Sequence, residues 1–383
     1  VTAQPPLAGV RVISLAEQYP GPFATMLLAD LGADVVLVER PGTGDPTRGY
    51  PGFFDSMARG KRSVVIDLKT DSGRSALWDL IESADVLLEG FRPGTLERLG
   101  FSSASVRQRH PRLLYVSISG YGQTGPNRLR SGHDLTYQAE AGVLYEHAPP
   151  APPPTPPALA LGDLSAAMFA VQGVLAGLLR RERTGLGGDV DVAMVDCLST
   201  MLAAHVGPVT NMTGPPGFPY EPGYGVFVTA DGEYLALGIA HEDHFWRALC
   251  DVTGLDSERE LGTFARLAAH SRLRERLANA IARHAAPHWE QVLGAVDVPY
   301  GRVRRLHDLP GTAQSVARKI FTTPDGPTGA VHVRQPLVFD GAAPGPRRGV
   351  PGLGEHAAEL LRECGATGDH TAGPTDTPAG TRT

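Results

Sequence analysis

Cysteine is scarce: Cys197, Cys250 and Cys364 are the only three in 383 residues, and none shares a CxxC spacing. That excludes a disulfide framework and a thiolate zinc site, and it suits a reducing compartment in which each thiol is a small buried residue. Long apolar runs are missing too, since none approaches the roughly 18 residues of a membrane span. Residues 1–7 lack a basic region followed by an apolar stretch, so the expectation is a cytoplasmic protein with no membrane partner. Positive charge is not in excess: 35 Lys and Arg stand against 41 Asp and Glu, a net charge of −6, and they are scattered. Nucleic acid is therefore excluded as an expected partner. The fingerprint GxGxxG is absent from the first turn, which reads Tyr19-Pro20-Gly21-Pro22, so a standard dinucleotide site is unsupported.

What is present is ordinary globular material, 42% apolar and 20% charged. At 383 residues the chain exceeds the usual size of a single core, so one large and one smaller lobe are expected. Periodicity predicts a strand over residues 10–15, a helix over 23–31 and a strand over 34–39. The cycle repeats as strand 63–68, helix 71–83 and strand 85–89, with a further strand over 113–119. Strand, helix, strand implies parallel pairing, so this half is α/β and Rossmann-like. Residues 149–157 are mostly proline and read as an extended loop. A long buried helix is expected over 164–183, then a strand over 189–192 and a helix through His205. The Gly/Pro-rich stretch 207–225 reads as a linker. Beyond it, a hairpin over 226–239 and helices near 242–251, 271–284 and 288–295 make a smaller α+β lobe. Residues 365–383 lack periodicity and are expected to be disordered.

Three stretches carry a resemblance. They are the opening LAGVRVISLAEQYPGPFATMLLADLGADVVLVERPGTGDPTRG, the pair KRSVVIDLKT and EGFRPGTLERLGF, and ALGDLSAAMFAVQGVLAGLLRRERTGLGGDVDVAMVDCL. Together with VPYGRVRRLHDL and GLGEHAAELL they resemble the family III CoA-transferase superfamily of the CaiB/BaiF type, nearest its α-methylacyl-CoA racemase branch. The resemblance implies a large CoA-binding Rossmann-like domain over 1–206, the linker, a small domain over 226–325 and a C-terminal segment, 326–364, returning to the large domain. It also implies an interlocked homodimer acting on acyl-CoA. Carried over by position, the CoA contacts would be Tyr19, Pro20, Arg40, Leu68, Lys69, Gly90, Phe91, Arg92 and Arg98. Guanidinium and ammonium groups at strand ends suit the phosphates of CoA, and Arg40 directly follows an expected strand.

Within the superfamily, Gly132-His133-Asp134 resembles the racemases, whereas the transferases usually carry an aromatic residue in place of His133. Asp163, in Leu161-Gly162-Asp163, matches the catalytic aspartate of both branches. In a racemase the thioester acidifies the α-hydrogen; one base removes it and a second conjugate acid reprotonates the opposite face. His133 and Asp163 would be that pair, with a helix N-terminal amide near Leu164 donating to the enolate oxygen and Glu242, from the small lobe, orienting the imidazole. In a transferase the Asp163 carboxylate would instead attack the thioester and form a mixed anhydride. A CoA-binding protein of diverged activity is the third reading. Asp163 could also be a plain N-cap, His133 a loop histidine, Glu242 a first-turn charge and Asp134 a structural cap. Leu164-Ser165-Ala166-Ala167 replaces a glycine-rich stretch of the racemases, and the alanines are expected to narrow the pocket. Pro215 and Pro216 stiffen residues 214–218, where transferases carry a glycine-rich lid. Neither proton transfer nor acyl transfer of this kind needs a prosthetic group or metal; CoA enters as part of the substrate.

Overall fold

The computed structural model describes residues 4–50, 52–146, 156–211, 220–322 and 331–364. Most of the proline-rich run 149–157, the stretch 214–218 and the tail 365–383 lie outside the described residues. Strands β1 (Arg11–Ser14), β2 (Asp34–Glu39), β3 (Lys61–Val65), β4 (Val86–Glu89), β5 (Leu114–Ser119) and β6 (Gly188–Ala193) form one parallel sheet in the order β3-β2-β1-β4-β5-β6. That is the doubly wound order, with its reversal between β1 and β4.

Alternate strand residues enter two different cores. Val12, Val35, Leu37, Val86, Leu88, Leu114 and Val116 pack on one face. Ile13, Val36, Val38, Val64, Leu87 and Tyr115 pack on the other. Burial on both faces is why these strands read as continuous apolar runs rather than alternating ones. Helices α1 (Pro20–Asp30), α2 (Phe53–Ala58), α3 (Asp71–Glu82), α4 (Thr95–Arg98), α5 (Ser103–Arg109), α6 (Asp134–Glu140), α7 (Val143–Glu146), α8 (Leu161–Thr184), α9 (Met194–Met201) and α10 (Ala203–Asn211) make the crossovers.

The boundaries differ from expectation in places, for local reasons. Helix α1 begins at Pro20, three residues early, because the missing proline N–H costs nothing in a first turn. Strand β3 begins at Lys61 rather than residue 63; Lys61 and Arg62, 1% and 2% exposed, are buried despite their charge. Helix α8 begins at Leu161, which places Asp163 inside the first turn and not at the N-cap. By length and composition α8 is also apolar enough to cross a membrane, which the sequence reading did not flag. Half of that window is buried, and Ala166, Ala170 and Val174 sit in the core beside the sheet.

The chain divides into two compact units, one running to Ala204 and resuming at Lys319, the other His205–Arg318. Part of the stretch read as a linker is helical, since α10 reaches Asn211, and the following strand begins at Tyr224. The second unit holds β7 (Tyr224–Val228), β8 (Tyr234–Gly238), α11 (Asp243–Thr253), α12 (Thr263–Ala268), α13 (His270–Ile281), α14 (Ala286–Ala295), β9 (Tyr300–Arg302) and α15 (Ala313–Arg318). Its antiparallel sheet, β7-β8-β9, and its helices close over Trp246 and Trp289. In the first unit the returning segment adds β10 (Phe321–Thr322), β11 (His332–Val333) and α16 (Ala357–Glu363), whose Leu360 is fully buried in the sheet core. The His356 amide donates to the Ser63 carbonyl at 2.9 Å, which ties this segment to β3.

Candidate active site

A cavity of about 360 Å³ opens at the C-terminal ends of the strands, where β1 and β4 diverge. Its wall is built from the loops after β1 (Leu15, Glu17 to Pro20), β4 (Gly90 to Pro93) and β5 (Ile118 to Gly120), with the segment leading into α6, Asp163 of α8 and Met194. This is the switch-point crevice in which open parallel sheets hold ligands. Of the candidate contacts, it brings together Tyr19, Pro20, Gly90, Phe91, Arg92, His133 and Asp163.

Arg40, Leu68, Lys69 and Arg98 are not part of this wall. Arg40 donates to the Gly44 carbonyl at 2.9 Å and faces the Glu17 carboxylate at 3.6 Å. The Leu68 and Lys69 carbonyls accept from Arg74, and Arg98 donates to Thr95 Oγ1 at 3.1 Å on its own helix. Glu242 belongs to the second unit. Its carboxylate accepts the Ala240 and His241 amides at 3.0 and 3.1 Å, and backbone donors of Glu242, Ala240 and His241 hold it below the usual glutamate range.

The two aspartates of the cavity have opposite surroundings. Asp134 Oδ1 accepts the Gly162 and Asp163 amides at 2.7 and 3.3 Å, while Oδ2 accepts Gln138 Nε2 at 2.5 Å. Asp134 thus caps α8 from another helix. Gly162 makes the approach feasible, because a Cβ there would stand 2.9 Å from Asp134 Oδ1. Among the described residues no hydrogen-bond donor reaches the Asp163 carboxylate. Burial, then the neighbouring Asp134 charge, pushes the Asp163 carboxyl up to about 7. One carboxylate satisfied and one starved of donors is how a structural acid is told from a working one.

The capping arrangement corrects two expectations. The Leu161 amide donates to Leu159 O and the Leu164 amide to Ala160 O, both at 3.0 Å, so with Asp134 on the two between them the first α8 amides are committed. The amide near Leu164 is therefore not available to an enolate oxygen. Ala166 and Ala167 do not narrow the cavity either, since both are fully buried in the core.

His133 is the N-cap of α6 and is exposed. Its amide donates to Thr136 Oγ1 at 3.0 Å, and its carbonyl accepts that hydroxyl at 2.7 Å. Tyr137 packs edge-on to Tyr121, ring centroids 5.4 Å apart, against Gly120 and Gly132, where a Cβ would lie within 2.4 and 2.5 Å of the ring. Burial, then Tyr121 and Asp163, raises the Tyr137 phenol. Burial, then Asp163 and Asp134, does the same to Tyr19. Both phenols therefore stay protonated and able to donate. Sequence reasoning missed Glu17, Tyr137, Arg128 and Arg130, all in the wall. The two arginines precede Gly132-His133 closely enough that charge ahead of the motif was an available signal.

The sequence profile described as CoA-transferase family III matches residues 7–357. The chain belongs to CoA-transferase family III. An acetyl-CoA:oxalate CoA-transferase of Acetobacter aceti is 33% identical, over 94% of this chain and 96% of its own. An alpha-methylacyl-CoA racemase of Mus musculus is also 33% identical, over 94% and 93%. A crystal structure of a CAIB/BAIF family protein from Brucella suis superposes with a TM-score of 0.85 at 29% identity, covering 94% of this chain and all of that one. Members of family III thus include enzymes named for acyl-CoA transfer and for racemisation, and transferases predominate among the relatives.

Proposed function

We propose that this enzyme interconverts the C2 epimers of 2-methylacyl-CoA thioesters by two-base proton transfer through an enolate. The observation that carries the reading is the presence of an imidazole and a donor-starved carboxyl, His133 and Asp163, in the wall of one cavity. A group with its midpoint near 7 both takes and returns a proton at neutral pH, as a general acid and base must. One group removes the α-proton, the electron pair passes into the thioester carbonyl, and the other group delivers a proton to the opposite face. The neutral phenols of Tyr19 and Tyr137 supply donors for the enolate oxygen in place of the committed α8 amides. Glu242, bound to its own loop amides, has no part in this scheme. Exposed Met168, Leu175 and Leu179 on α8 support an assembly of two copies, in the cytoplasm.

Transfer of CoA between carboxylic acids is the second reading. It is favoured by the relatives named for it and by the same Asp163, whose desolvated carboxylate would attack the thioester carbonyl and expel the CoA thiolate. A single 2-methylacyl-CoA epimer incubated in D₂O separates the two. Deuterium at the α-carbon with epimerisation, lost in both His133→Ala and Asp163→Ala, supports proton transfer. Movement of CoA to an added carboxylate without exchange, with His133→Ala still active, makes it a transferase.

A further inference from the structure

Three guanidinium groups share the wall of the cavity, and two of them are committed. Arg92 donates to Ser131 Oγ. Arg130 pairs with Glu140 at 2.9 Å and lies over the Tyr121 ring, 5.5 Å from its centroid. Arg128 has neither: among the described residues no carboxylate pairs with its side chain and no ring lies beneath it. The carboxyl groups of the same wall have other engagements. Asp134 holds amides, Glu17 faces Arg40, and Asp163 is held near neutral by burial and by Asp134.

The backbone that presents Arg128 is tied down. The Gln123 amide donates to Asp191 Oδ2 at 2.9 Å, and the Arg130 amide closes a turn onto Asn127 O at 2.8 Å. The same loop ends at His133, whose amide is fixed by Thr136. An uncommitted cation and the proposed base therefore arrive on one anchored segment. That segment follows β5, whereas the arginines expected to meet CoA, Arg40, Arg92 and Arg98, follow β2 and β4. A cation on the base's side of the cavity is placed for an anion on the acyl group rather than on the nucleotide.

We infer that Arg128 receives a carboxylate carried by the acyl group, so that the substrates are CoA monothioesters of dicarboxylic acids. This rests on the acyl-CoA reading of the cavity but not on which reaction follows. A guanidinium clamps a carboxylate through two parallel N–H donors, a geometry that a lysine or a neutral amide does not reproduce.

The test uses the full chain and two unreactive thioethers, S-(4-carboxybutyl)-CoA and S-pentyl-CoA, titrated by calorimetry. The carboxylated compound is expected to bind roughly tenfold or more tightly than the alkyl one, as a charge-assisted pair should give. In Arg128→Gln that preference disappears while S-pentyl-CoA binds as before, and Arg128→Lys keeps only part of it. Equal affinities in the unaltered protein would overturn the inference. So would an equal weakening of both compounds in Arg128→Gln, which would assign Arg128 to a CoA phosphate; the dephospho-CoA pair then shows whether it is the 3′-phosphate. If neither compound binds, the acyl-CoA reading falls together with the inference. If the preference holds but deuterium exchange fails, only proton transfer falls.

Discussion

At the N-terminal end of the six strands a cavity of about 550 Å³ is lined by Arg11, Arg62, Arg347, Arg348, Asp34, Glu359 and Glu363. Arg11 bridges Asp34 at 2.9 Å and Glu363 at 2.7 Å; Arg62 joins Asp34, Glu359 and Glu363; Arg348 reaches Glu359 at 3.5 Å. Only Arg347 stands apart. At the C-terminal end the cavity is smaller, about 360 Å³, yet Asp163 has no donor, Arg128 has no carboxylate, and Gln18 adopts a φ of 69° that a non-glycine residue rarely takes. The larger cavity is where the returning segment is fastened to the sheet by neutralised charge. The smaller one keeps charge unsatisfied, and unsatisfied charge rather than volume marks the place where chemistry can occur.

Substitutions at the two ends break this comparison in opposite ways. Asp163→Asn should reduce turnover by at least about 10³-fold while the chain stays folded. It should also raise stability at pH 8. In the folded chain Asp163 holds its proton up to about 7, but in the unfolded chain it ionises above 3.8, so its cost grows between those values and is complete above them. Removing it is worth about 1–2 kcal/mol after solvent screening, read by thermal unfolding. At the paired end, Arg62→Met leaves Asp34, Glu359 and Glu363 short of a partner. It should cost about 3–5 kcal/mol in denaturant melts, with turnover per folded molecule unchanged.

Asp134→Asn sharpens the contrast inside the cavity. The amide oxygen still accepts the α8 amides, but the charge that helps raise Asp163 is gone. The acidic limb of the pH–rate profile should therefore move to lower pH, with a stability loss of about 1 kcal/mol or less. The smallest effect is expected at Lys61, fully buried beneath α1, where its Nζ donates to Pro22 O and Thr25 Oγ1, both at 2.8 Å. Burial, then Arg59, lowers Lys61 to about 7, against the partial opposition of Asp45, Asp30 and Glu39. Between 7 and 10.5 the unfolded chain binds the proton that the folded chain has released, so stability gained from this group rises with pH across that window. The difference in stability between the unaltered protein and Lys61→Met, followed over that range, should show this rise.

The parallel sheet was legible because strands buried on both faces leave continuous apolar runs, as at residues 34–39. The short helices α4 to α7 were not, since one or two turns broken by Gly, Ser and Pro show no period. The start of α8 was misplaced for a different reason. Its cap comes from Asp134, 29 positions away, and no local pattern reveals a cap supplied by another helix. Lys61 and Arg62 hid the start of β3 because charge was read as exposure, although both are paired or hydrogen-bonded inside. At the site, His133 and Asp163 were legible from motifs. Arg128 was not, because an arginine acquires meaning here only when its neighbours prove to be taken.

The central claim is that Asp163 is held near neutrality, and it is tested most directly by titrating that carboxyl. With aspartate labelled by ¹³C at the carboxyl carbon, the resonance absent from Asp163→Asn identifies it in the unaltered protein. The account predicts a midpoint near 7 that falls in Asp134→Asn. A midpoint near 4, unmoved by that substitution, would contradict it.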